Sequence, residues 1–221
     1  QGGKRGSYGG SIRHSHAFRR GLVKDLSDRR FGGQELSEEV RSLFWKDSMR
    51  FSNYMEQHGL ALGDLAMRNP RLRFLLPVRN PLDCAQSNLQ TGHYRMLTAN
   101  PAPGKLDLVE RILELVRDFH DQADRAPGSF LCFTEDEFGR DLLGRVCGLL
   151  GLDWDETWAE DILATFSFDS HYEHPAEDIE HYRRLVSRMF GDREQLRDRL
   201  LALVRTSQEV PVAVEEVRTA G

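Results

Sequence analysis

The chain has 221 residues, which suits one large domain with a hydrophobic core of its own. Hydrophobic residues make up 39% and charged residues 29%, with a formal net charge of −5, so the composition is that of a globular protein and excludes a disordered chain. The charge gives no reason to expect nucleic acid as a partner. No apolar run approaches the roughly 18 residues of a membrane span or has the form of a signal peptide. We therefore expect a cytoplasmic protein without a membrane anchor.

The cysteines point to the same compartment. Cys84, Cys132 and Cys147 lie in apolar surroundings without CxxC spacing. Their odd number leaves at least one unpaired, which favours buried free thiols over a disulfide.

The first part of the chain begins with glycine-rich "QGGKRGSYGG" (1–10), and "SIRHSHAFRRGLVKDL" (11–26) then shows loosely helical apolar spacing. This pattern predicts a loop that leads into the N terminus of a helix. "RSLFWKD" (41–47) predicts a short strand, and "SNYMEQHGLALGDLAMRN" (52–69) predicts a helix after it.

The middle of the chain contains "RFLLPVR" (73–79), a continuous apolar run typical of a strand buried on both faces of a parallel sheet. Pro77 weakens this prediction, because proline has no N–H for the ladder. Pro81 suits the first turn of a helix over "PLDCAQSNLQ" (81–90).

Clear helical and strand signals follow. The apolar residues of "KLDLVERILELVRDFHDQAD" (105–124) recur close to the helical period and predict an amphipathic helix. "GSFLCFTED" (128–136) predicts a strand, and "RDLLGRVCGLLGL" (140–152) predicts a helix that stops at Gly151. The chain from Glu156 onward is charged and helical in pattern, apart from a weak strand signal near its end, "VPVAVEEV" (210–217).

Strands and helices thus alternate along the chain. This alternation predicts an α/β fold with a doubly wound parallel sheet and a helical C-terminal third. In such sheets ligands bind beyond the carboxyl ends of the strands. Polar residues follow each predicted strand, at 46–48, at Arg79 and at 134–136, so we expect a binding site at this edge.

The segment "VRNPLDCAQSN" (78–88) has the chemistry of an anion site. Arg79 supplies a planar bidentate donor at a strand end, and the helix that begins just after it presents the positive end of its dipole. Ser87 lies about one and a half turns into that helix, with its hydroxyl within reach of the same anion. The alternative is that Arg79 pairs with a carboxylate at the sheet edge.

This spacing resembles the 3′-phosphate-binding segment of sulfotransferases that use 3′-phosphoadenosine 5′-phosphosulfate (PAPS). In that family an arginine after a strand and a serine eight residues later bind the nucleotide 3′-phosphate, and Arg79 and Ser87 match the pair. "FLCFTEDEFGRDLLGRVCGLLGLDWDETW" (130–158) is similar to the family's aromatic-Glu-Asp strand end and the helix after it. Many members have a tyrosine against the adenine where this chain has Thr134, so the resemblance assigns the adenine contact to Phe133 or Thr134.

Two further segments resemble parts of the same family. "LFWKDSMRF" (43–51) is similar to the strand whose lysine forms part of the acceptor site, and Lys46 matches that lysine. The family's cytosolic branch has its catalytic histidine where this chain has Ser48, so Asp47 becomes the candidate base. The alternative for Asp47 is a helix cap or an ion-pair partner.

"GKRGSYGGS" (3–11) resembles the family's 5′-phosphosulfate loop, with Lys4, Gly6 and Ser7 in the expected order. No strand precedes this loop in the sequence, so a glycine-rich terminus is the alternative reading. His14 and His16 follow two residues apart and do not share a helix face. We keep His16 as a further catalytic candidate.

The resemblance implies one sulfotransferase-like domain over 1–221, of P-loop-like type, with a nucleotide-binding core at 1–155 and a helical part at 156–221. It implies PAPS as co-substrate, no metal, and transfer of the sulfuryl group to a hydroxyl or amine of a small-molecule or glycan acceptor. Lys4 would stabilise charge on the leaving oxygen, and Lys46 would polarise the transferring group. The alternatives are a catalytically inactive relative that binds the nucleotide, and a P-loop nucleotide kinase. The histidines of "HYEHPAEDIEH" (171–181) are not expected to bind zinc, and the oligomeric state is left open.

Overall fold

The computed structural model describes residues 21–31, 44, 50–166 and 172–204. This part of the chain is mixed α/β and mostly helical, with a two-stranded parallel sheet. Its contacts form two compact units, residues 1–51 with 153–167, and residues 52–152 with 168–221. None of the described helices is long and apolar enough to cross a membrane. The single domain stays a prediction.

Helices precede, separate and follow the two strands of the described chain. In chain order the elements are α1 (Leu22–Phe31), α2 (Arg50–Gln57), α3 (Leu62–Arg68), β1 (Phe74–Val78), α4 (Pro81–Thr91), α5 (Lys105–Arg125), β2 (Phe130–Thr134), α6 (Arg140–Leu150), α7 (Glu156–Thr165), α8 (Ala176–Met189) and α9 (Glu194–Ala202). Short 3₁₀ turns occupy His93–Met96 and Glu135–Glu137.

The smaller unit contains α1 and α7, which are joined by ion pairs. The Nε of Arg30 lies 2.9 Å from a carboxylate oxygen of Asp161, and its Nη1 lies 3.2 Å from one of Asp155. Asp155 also caps α7, since its other oxygen accepts a 2.8 Å hydrogen bond from the N–H of Trp158. The cap and the ion pairs together fix the start of α7 against α1.

The larger unit is organised around the parallel pair β1 and β2. The two strands are in register from Phe74 opposite Phe130 to Val78 opposite Thr134. The rings of Phe74 and Phe130 stack at 4.9 Å between centroids, and Phe119 of α5 meets Phe130 edge to face at 5.2 Å. Both strands predicted for these stretches are therefore confirmed, but β1 is not buried on both faces as expected, because its first three residues are half-buried and the ring of Pro77 is exposed.

Helix α5 provides much of the core of this unit, as its amphipathic pattern predicts. It packs against α3, α4, α8 and both strands. The residues it buries share one face of the helix: Leu108, Val109, Ile112, Leu113, Val116 and Phe119.

A glycine brings α3 close to α5. The N–H of Gly63 donates to the side-chain oxygen of Gln122 at 3.1 Å. A Cβ at position 63 would stand 2.9 Å from that oxygen and 3.2 Å from the Gln122 carbonyl. The two helices reach this separation because position 63 carries no side chain.

Part of the predicted element order is corrected. The single helix predicted over 52–69 is wrong, because α2 ends at Gln57 and α3 begins at Leu62, with Gly59 between them at φ 60°. Gly151 does end α6, at φ 65°, as predicted. Of the strand predicted at 41–47, the structure describes Phe44 alone, which lies in neither helix nor strand, and 210–217 lies outside the described residues.

Candidate functional site

The carboxyl ends of β1 and β2 place two charged side chains together. Because Val78 is in register with Thr134, the next residues, Arg79 and Glu135, emerge at the same edge of the sheet. The Nε of Arg79 lies 3.4 Å from one carboxylate oxygen of Glu135, and the N–H of Asn80 donates to the other at 2.9 Å. The carboxylate that the sequence offered as an alternative partner for Arg79 is therefore Glu135.

This pairing leaves much of the Arg79 guanidinium open. Its side chain is 50% exposed, and its two terminal nitrogens have no partner within the part of the chain that the structure describes. Glu135 therefore holds the Nε side of the guanidinium, while the outer fork remains free to bind an anion.

Helix α4 begins directly after Arg79 and is well capped. The side chain of Asn80 accepts a 2.9 Å hydrogen bond from the N–H of Leu82, and Pro81 occupies the first turn as predicted. The helix dipole thus begins beside the guanidinium, so two sources of positive potential meet at this edge.

Ser87 lies on α4 at the predicted depth and is half-buried. Asp83 and Gln90 lie four residues before it and three residues after it, so all three share one stripe of the helix. The carbonyl of Ser87 accepts the hydroxyl of Thr91 at 2.8 Å. The stripe that contains Ser87 therefore begins in the first turn of α4, next to the strand ends.

Thr134 and Phe133 occupy different faces of β2, because successive side chains of a strand alternate. Thr134 is 1% exposed, and its N–H and hydroxyl both donate to one carboxylate oxygen of Glu137, at 2.8 and 3.0 Å. This capping box fixes the 3₁₀ turn that follows the strand. Phe133 is half-buried on the opposite face. The adenine contact assigned to these two residues stays a prediction.

Glu137 is the centre of a charge cluster that the sequence pattern did not lead us to expect. Besides Thr134 it accepts a hydrogen bond from Arg145 at 2.7 Å and another from Arg199 at 3.2 Å. Burial acts to raise the pKa of Glu137, but the hydrogen bonds from Thr134 and Arg145 and the charge of Arg199 lower it below its ordinary value. The spacing Thr134 to Glu137 is a capping-box signature and was readable from the sequence.

A second unexpected contact joins α4 to the segment before α8. The Nε2 of His174 lies 2.7 Å from a carboxylate oxygen of Asp83, and both side chains are almost fully buried. No group of three or more metal-binding side chains occurs within the described ranges. Nothing in the local pattern signals this pair, because 91 residues separate its members.

Cys84 lies next to Asp83, and the pKa of its thiol depends on the charges around it. Burial raises the pKa of its thiol to about 11, the charge of Arg79 opposes the rise, and Glu135 and Asp83 add to it. All three cysteines of the chain are free. The charges of Arg79, Glu135 and Asp83 therefore all act on this one thiol at the start of α4.

The remaining predicted site residues lie outside the described part of the chain, so their assignments stay predictions. They are Lys4, Gly6, Ser7, His16, Lys46 and Asp47.

Comparison of the chain with protein families, curated proteins and solved structures gave no match.

Proposed function

We propose that this protein is a PAPS-dependent sulfotransferase. The observation that carries the proposal is the position of Arg79, at the carboxyl end of a strand in a parallel pair and directly before the N terminus of α4. Parallel α/β sheets bind their ligands at this edge, and an open guanidinium beside a helix N terminus favours phosphate. The proposal includes a doubly wound sheet in which β1 and β2 are neighbours.

In the proposed reaction an acceptor oxygen or nitrogen attacks the sulfur of PAPS in line with the departing phosphate oxygen. The bond from the acceptor to sulfur forms while the bond from sulfur to the nucleotide breaks, and 3′-phosphoadenosine 5′-phosphate (PAP) leaves with the electron pair. Lys4 stabilises charge on the leaving oxygen and Lys46 polarises the sulfuryl group. Asp47 or His16 takes the acceptor proton.

Arg79 and Ser87 hold the nucleotide in this scheme by its 3′-phosphate. The free outer fork of Arg79 binds two phosphate oxygens, and Ser87 donates its hydroxyl from the stripe that starts in the first turn of α4. Glu135 fixes the orientation of the guanidinium through Nε.

The acceptor site that fits this scheme borders the turn after α4. A cleft of about 410 Å³ is lined there by Arg95, Leu97, Thr98 and Ala99, with Glu56, Gln57 and Arg111. Its lining is largely polar and includes two arginines, which suits a hydroxyl-bearing acceptor such as a glycan.

Two measurements distinguish the proposal from its alternatives. Transfer of labelled sulfate from PAPS is measured with a panel of alcohols, phenols, amines and glycans in the presence of a metal chelator, and nucleotide binding is measured in parallel. A sulfotransferase binds PAP and transfers sulfate without metal. An inactive relative binds PAP and transfers nothing, whereas a nucleotide kinase binds ATP with magnesium and ignores PAP.

A further inference from the structure

The buried pair His174 and Asp83 contains a polar atom without a partner. The Nε2 of His174 contacts Asp83 at 2.7 Å, and the two side chains are 5% and 2% exposed. The other ring nitrogen, Nδ1, is equally buried and makes no hydrogen bond to any described residue. Buried polar atoms nearly always have a partner, and none of the described residues supplies one to this nitrogen.

The segment that carries His174 lies along the stripe of α4 that contains Ser87. We call residues 172–174 the strap. Tyr172 donates its hydroxyl to the side-chain oxygen of Gln90 at 3.1 Å, and its ring stacks on that of His174 at 6.5 Å. The strap therefore touches α4 at Gln90 and at Asp83, and Ser87 lies between these two contacts on the same stripe.

The charges at this place suit an anion. Within the described residues, Asp83 is the charged side chain that contacts the imidazole. A doubly protonated imidazole donates from both nitrogens, so Nε2 donates to Asp83 and Nδ1 is left to donate to a second acceptor. The cation and the carboxylate of Asp83 then cancel in charge, and Arg79, which Glu135 contacts through Nε alone, presents the open side of its guanidinium near the start of the stripe.

We propose that His174 is a specificity-determining residue that donates from Nδ1 to the 3′-phosphate of the nucleotide, and that the strap covers this phosphate at Ser87. The inference rests on the function proposed above. According to this inference, the strap helps the protein to distinguish nucleotides that have a 3′-phosphate from those that lack one.

The variant His174→Gln isolates the donor at Nδ1. The amide nitrogen of glutamine reaches approximately the position of Nε2 and keeps the bond to Asp83, but nothing replaces Nδ1. His93→Gln is the matched control, since His93 is exposed on the 3₁₀ turn after α4. Calorimetry with PAP and with adenosine 5′-phosphate, which has no 3′-phosphate, compares the two variants with the wild type.

The expected result is a loss of PAP affinity of at least about 10-fold in His174→Gln, with the affinity for adenosine 5′-phosphate unchanged. His93→Gln should match the wild type with both nucleotides. An unchanged ratio of the two affinities in folded His174→Gln would overturn the inference and leave the proposed function standing. Failure of the wild type to bind PAP would overturn both.

A second measurement uses the wild type alone, so it tests the donor role of His174 even if His174→Gln does not fold. The ¹⁵N resonances of the wild-type histidines are followed by NMR while each nucleotide is added. PAP should move the Nδ1 resonance of His174 to the protonated position, and adenosine 5′-phosphate should not. A resonance that PAP leaves unmoved would contradict the donor role.

Discussion

Arg79 and Glu135 meet at the carboxyl edge of the parallel strands, with 3.4 Å between Nε and the nearer carboxylate oxygen. The contact joins two residues that each directly follow a strand, so the register of the sheet itself brings them together. Arg79 remains half exposed, and exposed ion pairs contribute little to stability. The pair therefore orients a guanidinium at a binding edge more than it stabilises the fold.

Arg79→Ala should consequently leave the fold intact. We expect the free energy of unfolding to change by less than about 1 kcal/mol, since the lost ion pair is open to solvent. Urea unfolding followed by circular dichroism measures this change. A loss of several kcal/mol would mean that Arg79 is a structural residue and that its effect on ligand binding is indirect.

Glu137→Gln should destabilise the chain by about 2 kcal/mol, because it removes the charge that Arg145 and Arg199 share in a partly buried cluster. Glu114→Gln is the control, since Glu114 is half exposed and pairs with Arg111 along one helix. It should cost less than about 0.5 kcal/mol. Equal losses in the two variants, measured by urea unfolding, would contradict the special role of Glu137.

Cys84 and Cys132 should resist alkylation in the folded chain. Burial raises the pKa of Cys84 to about 11 and that of Cys132 to about 12; Arg79 and Arg199 oppose these rises. At about pH 8 the thiolate fraction of Cys84 should then be about 100-fold lower than in the unfolded chain. Mass spectrometry after brief treatment with iodoacetamide measures the difference. Equal labelling of both thiols in the native and urea-unfolded chains would contradict this environment.

His120 should make stability fall in mild acid. Burial and the charges of Arg193 and Arg199 lower its pKa in the folded chain, while Asp124 and Asp121 oppose them only in part. The unfolded chain therefore binds more protons between the two pKa values, so the stabilisation is complete above about pH 6.5 and declines as the pH falls toward the folded value.

The substitution His120→Gln removes this proton and should flatten the decline between about pH 6.5 and pH 5. The free energy of unfolding is measured by urea titration across that range. His93→Gln serves as the control because His93 is exposed, and it should keep the wild-type slope. A slope that His120→Gln leaves unchanged would assign the acid sensitivity to another group.

The sequence predicts the local features of this fold well. The period of apolar residues predicts α5, the apolar run predicts β1, and Gly151 marks the end of α6. Arg79 was also expected at the edge of the sheet, because a strand end and a proline at the start of a helix are both local signals. The apolar pattern over 52–69 does not show that α2 and α3 are separate helices, although Gly59 marks the position of the turn between them.

The contacts between residues far apart in the chain cannot be predicted from the sequence pattern. Glu137 meets Arg199 across 62 residues and His174 meets Asp83 across 91. Periodicity reports which face of an element is buried, but it does not say which distant element covers that face. The sequence therefore does not predict that the strap packs on α4, and the structure alone shows this contact.

The most direct test of the proposed function is calorimetry of PAP binding to the wild type and to Arg79→Ala, without magnesium. Arg71→Ala is the control, because Arg71 is also exposed but lies before the amino end of β1. We predict that the wild type and Arg71→Ala bind PAP alike, and that Arg79→Ala loses at least about 10-fold in affinity. Equal binding by all three proteins, or no binding by the wild type, would contradict a nucleotide site at the strand ends.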